Sequence, residues 1–72
     1  MLDKLTYVIE TGQEADGRWI AEIKDLPGVM AYGATRQEAI TKAQVLAFRV
    51  LADQIEERKA GTSSVSFGGS GA

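Results

Sequence analysis

The chain has 72 residues, with 10 acidic and 8 basic side chains, a formal net charge of −2, one Trp, no Cys and no His. That length suits one compact domain. Without Cys there is neither a disulfide nor a thiolate metal ligand, which points to a reducing, cytoplasmic setting, and a pI near 4.9 offers no broad basic surface for phosphates, so direct nucleic-acid binding is not expected.

From Met1 to Ile9 the chain places Asp3 and Lys4 ahead of only a short apolar run, which is the pattern of neither a secretory leader nor a membrane span. Leu5-Thr6-Tyr7-Val8-Ile9-Glu10 mixes β-branched and aromatic residues and predicts a first strand; the polar stretch through Gly12 that closes on Asp16-Gly17 predicts a hairpin loop. Arg18 to Ile23 sets Trp19, Ala21 and Ile23 against Ile20 and Glu22, so a second strand returns antiparallel to the first. In Asp25-Leu26-Pro27-Gly28, Pro presets φ and Gly tolerates a positive one, which predicts a turn. Val29 to Tyr32 then forms a short third strand that Gly33 ends.

Thr35-Arg36-Gln37-Glu38 has capping-box spacing: the Thr hydroxyl takes the amide of Glu38, and the Glu38 side chain reaches back to the amide of the cap. The helix that starts there carries Ala39, Ile40, Ala43, Leu46, Ala47, Val50 and Leu51 as a stripe broad enough to cover one sheet face. Glu38 with Lys42 and Arg49 with Asp53 are i,i+4 pairs on its solvated side, and Gly61 is the expected stop. Ser64 to Phe67 predicts a short fourth strand, parallel to the third through a right-handed crossover. The expected fold class is therefore α+β: a three-stranded antiparallel meander backed by one long helix, with a short fourth strand. The domain covers 1–67, and 68–72 has the composition of a flexible tail.

No catalytic residue is expected. Cys nucleophiles and His bases are excluded by composition, and metal-dependent phosphoryl chemistry needs converging carboxylates where the first strand offers only Glu10 and the second only Glu22. Those two are read as solvated strand residues. Gly12, Gly17, Gly28 and Gly33 lack phosphate-loop spacing and are read as turn glycines, so neither a cofactor nor a metal is expected.

Two surpluses of apolar surface remain. If Leu5, Tyr7, Ile9, Trp19, Ala21 and Ile23 face the helix, then Val8, Ile20, Met30 and Tyr32 share the opposite face with Thr6 and Glu22, where one helix cannot cover them. Scattered apolar residues are ordinary on an open sheet; the alternative is a partner-binding face. On the helix, Val45, Phe48, Ala52 and Ile55 form a second seam, turned away from the main stripe. Either Val65 and Phe67 fold back over this seam, or it is a contact in a homo-oligomer, a dimer or tetramer. The small core favours the oligomer.

Asp25-Leu26-Pro27-Gly28, followed by Gly33-Ala34-Thr35 and Glu38-Ala39 and preceded by Trp19-Ile20-Ala21-Glu22-Ile23, resembles the HicB family of toxin–antitoxin systems in its short form, without a DNA-binding domain. The likeness runs from about Leu5 to Phe67. Lys24, Val29 and Ala34 stand where that family often has Pro, Cys and an acidic residue. The resemblance implies a partial RNase H-like fold lacking the nuclease carboxylates. It also implies a function: binding a small basic ribonuclease toxin, HicA, and occluding its active site. A solitary HicB-like protein without a toxin partner is the alternative.

Overall fold

A computed structural model describes residues 2–58 and 61–71. Its elements in chain order are β1 (Leu2–Gln13), β2 (Trp19–Glu22), β3 (Met30–Gly33), α1 (Arg36–Arg58) and β4 (Thr62–Gly71). The fold is α+β, with one helix and a four-stranded mixed sheet in the order β3-β2-β1-β4.

The meander is fixed by its two connections. Between β1 and β2, the Glu14 amide donates to the Arg18 carbonyl at 2.7 Å, the Asp16 carboxylate accepts from the Arg18 amide at 3.1 Å, and Gly17 takes φ +92°. Between β2 and β3, the Val29 amide donates to the Leu26 carbonyl at 3.1 Å around Pro27-Gly28, with Gly28 at φ +82°. A Pro at the second position and a positive φ at the third make a type II turn. The Ile23 amide donates to the Val29 carbonyl at 3.0 Å across its base, and both residues are buried with Leu26. The turn is therefore part of the core as well as a connection.

Register follows from the turns. Glu10 lies opposite Glu22 and Gly12 opposite Ile20; Ile20 in turn faces Tyr32, and Glu22 faces Met30. Odd-numbered residues of the three strands that carry Ile9, Ala21 and Ala31 point to the helix. There they meet Ala39, Ala43, Ala47 and Leu51, while Ile40, Leu46 and Val50 pack at the margin. A row of alanines four residues apart lets the helix axis come close to the sheet. The approach is tightest at Gly33, where an added Cβ would lie 2.6 Å from the Ala39 amide nitrogen.

Four expectations are corrected by the structure. β4 pairs parallel with β1, not beside β3, although it does run in the same direction as β3. β1 offers it twelve residues of free edge against four on β3, and matches apolar to apolar where Leu5 faces Val65 and Tyr7 faces Phe67. β4 also continues to Gly71, so residues 68–71, expected as tail, are strand, because the long β1 is still there to pair with Gly68, Gly69 and beyond; residue 72 lies outside the described residues. At the helix start, the Glu38 amide does donate to Thr35 Oγ1 at 3.1 Å, but the Glu38 carboxylate accepts from the Ala34 amide at 3.3 Å, one residue before the cap. Of the two helix pairs, Glu38 and Lys42 meet at 3.3 Å, and Arg49–Asp53 is not among the ion pairs of the described residues. The helix reaches Arg58; the two residues between it and the expected stop at Gly61 lie outside the described residues.

Candidate protein interface

The helix lies over β2 and β3 and touches β1 only lightly. One face of the sheet is thus left without a layer, and it carries Val8, Met30 and Tyr32 at 48%, 44% and 37% exposure, with Ile20 half-buried. Alternation along the strands places these side chains there: each is an even-numbered residue in a register whose odd-numbered residues form the core. The structure brings three of the four expected partner-binding residues together. Ile20 and Tyr32 are directly opposite, and Met30 is the diagonal neighbour of Ile20. Val8 stands apart, beyond the row in which Glu10 and Glu22 face each other.

Charge on this face is arranged around that row. Glu10 is reached by Lys24 at 3.4 Å, while Glu22 lies between Glu10 and Met30. Arg18 lies over the Tyr32 ring, with its guanidinium carbon 4.8 Å from the ring centroid, and its Nε donates to Asp16 at 2.8 Å. The hydrogen bond from the Arg18 amide, reinforced by the guanidinium, holds the Asp16 carboxyl below its ordinary value of 3.8. Ile20, Tyr32 and Arg18 therefore form one ordered patch. Sequence reasoning named the first two and missed the Arg; the signal was its place two residues before Ile20, on the same face and diagonal to Tyr32.

The helix seam is divided. Phe48 meets Phe67 edge-on, with centroids 5.5 Å apart, and Phe67 in turn lies 6.2 Å from Tyr7. The fold-back of the C-terminal segment is thus real for Phe48, yet that ring stays 53% exposed. Val45, 46% exposed, lines a shallow apolar recess with Ala31 and Leu46 instead. Ala52 is exposed and Ile55 half-buried. No group of three or more acidic side chains among the described residues is disposed to hold a metal ion, and no helix among them is long and apolar enough to cross a membrane.

Compared with known protein families, curated proteins and solved structures, the chain matches none.

Proposed function

We propose that this chain is a cytoplasmic protein-binding module, not an enzyme, and that it acts as a HicB-type antitoxin by docking on a small basic ribonuclease toxin of the HicA type and covering its active site. The observation that carries the reading is the ordered Ile20–Tyr32–Arg18 patch beside the facing carboxylates Glu10 and Glu22. An aromatic anchor already held in place loses little freedom on binding, and aromatic and Arg side chains dominate the energetics of protein interfaces. Adjacent carboxylates favour a basic partner and speed its encounter.

Titration of a purified HicA-type toxin encoded beside this chain tests the proposal. Tyr32→Ala and Ile20→Asp are each expected to weaken binding at least tenfold while leaving the circular dichroism of the module unchanged. Unaltered affinity in both would move the interface off this face. Metal-dependent RNA cleavage that follows the protein through purification and is lost in Glu10→Gln or Glu22→Gln would replace the binding reading with an enzymatic one.

A second reading, a solitary HicB-like homo-oligomer, is favoured by the exposure of Phe48 and Val45. It expects self-association with no toxin bound, and a monomer in sedimentation at micromolar concentration would reject it.

A further inference from the structure

We propose that two copies of this chain join edge to edge through β4, antiparallel about a two-fold axis at Ser66, so that two four-stranded sheets become one of eight strands. The inference is independent of toxin binding, because it leaves the Ile20–Tyr32 face free. It gives self-association a different joint from the helix seam.

The two edges of the sheet are unlike. β3 has four residues, whereas β4 has ten, about 33 Å of strand, and no strand among the described residues lies outside it. Proteins usually blunt such an edge with Lys, Pro or a bulge. Thr62 to Gly71 contains no Pro and no charged side chain, in a chain whose charged residues make up 25% of the total. A neutral edge on an acidic molecule selects neither a basic nor an acidic partner, and does not repel a second copy.

The side-chain pattern also fits itself. With the axis at Ser66, Val65 of one copy lies opposite Phe67 of the other, and Phe67 opposite Val65. Register keeps both pairs on the helix side, where Phe67 already meets Tyr7 and the half-covered Phe48. Each copy thus supplies what the other lacks: a Val and a Phe, on the correct face, at the open flank of the aromatic cluster. On the opposite face Ser64 would meet Gly68 and Ser66 its own copy, small groups that let the strands close. An unrelated extended peptide would satisfy the backbone edge but would not bring that apolar pair. Isologous pairing counts every such contact twice.

The absence of Cys makes the test clean. Residues directly opposite in an antiparallel pair have Cα atoms about 4.5–5.5 Å apart, within disulfide reach. Under mild oxidation of the full chain, Ser66→Cys is expected to give a covalent dimer in high yield, and Ala52→Cys, on the back of the helix, none. Ser66→Lys places like charges on the axis and is expected to weaken the dimer at least tenfold in sedimentation, with the circular dichroism retained. A wild-type monomer at micromolar concentration overturns the proposal. So does a dimer that crosslinks through Ala52→Cys but not Ser66→Cys, or one that dissociates in Phe48→Glu and ignores Ser66→Lys; either result places the joint on the helix seam.

Discussion

The half of the sheet built from β2 and β3 and the half built from β1 and β4 are held by different forces. Over β2 and β3 lies the helix, and there the fully buried Ala21, Ile23, Leu26, Val29, Ala39, Ala43 and Ala47 make a dry, close-packed centre. Along β1 and β4 the strands pair over nearly their whole length, but Leu5, Tyr7, Val65 and Phe67 are only partly buried. The molecule is long for its size: its principal extents are 42 × 18 × 15 Å, and its radius of gyration of 13.0 Å exceeds the roughly 11 Å of a compact chain this length. The contrast teaches that backbone pairing extends a sheet further than one helix can seal it. Rigidity is set by the first half, and sticky surface is left on the second.

The largest effect should come from the sealed half. Ile23→Ala removes a fully buried side chain at the base of the Pro27-Gly28 turn and should cost about 2–5 kcal/mol, read from urea unfolding. A loss below about 1 kcal/mol would mean that the centre repacks freely. Gly33→Ala is next, at about 1–3 kcal/mol. The new methyl would press on the backbone of Glu38 and Ala39 and has no flexible neighbour to displace.

In the open half, Phe67→Ala should cost only about 1–2 kcal/mol, since the ring is half-buried. Its signature should be local: amide exchange in β4 accelerates while β2 and β3 keep their protection. Uniform acceleration would abolish the distinction between the halves.

The smallest effect concerns the helix start. The hydrogen bond from the Ala34 amide, followed by the hydrogen bond and charge of Lys42, lowers the Glu38 pKa from its ordinary 4.5. A depressed carboxylate contributes stability that is present above its unfolded value and is lost as pH falls through the folded one. Stability should therefore decline in acid below about pH 4.5, and Glu38→Gln should flatten that limb only slightly, because the side chain is solvent-exposed and its interactions are screened. A steeper limb in the variant would reverse the assignment.

Local features were legible in the sequence because their physics is local. Asp16-Gly17, Pro27-Gly28 and the Thr35 cap each act within a few residues and are found where expected; only the Glu38 carboxylate departs, reaching the Ala34 amide instead of the cap's own. Period-two alternation likewise identified the open face, and the helical stripe identified what covers the opposite one. What the sequence hid is long-range. Nothing in Ser64 to Phe67 names β1 as its neighbour, because that choice depends on which edge the meander leaves free and how long it is. Gly68 to Gly71 have the composition of a linker and are strand only because a partner strand lies alongside. Val8 was grouped with Ile20 by face alone; the strand register that sets the Glu10–Glu22 row between them was not available from periodicity. Leu26 sits in a turn, where an apolar residue gives no periodic signal, and it still plugs the core.

The parallel pairing of β1 with β4 has a consequence for how the protein is made. Thr6 and Ser66, whose hydroxyls lie 3.2 Å apart, are separated by 60 residues of chain. A contact so distant closes a far longer loop than either hairpin, so it costs more chain entropy and forms later. On the ribosome β1 emerges early, and it must wait, one edge already taken by the hairpin and the other vacant, until the helix and β4 have followed. During that interval a nascent chain carries an unoccupied strand edge beside the apolar Leu5 and Tyr7, which is the surface by which neighbouring chains on a crowded polysome would capture one another.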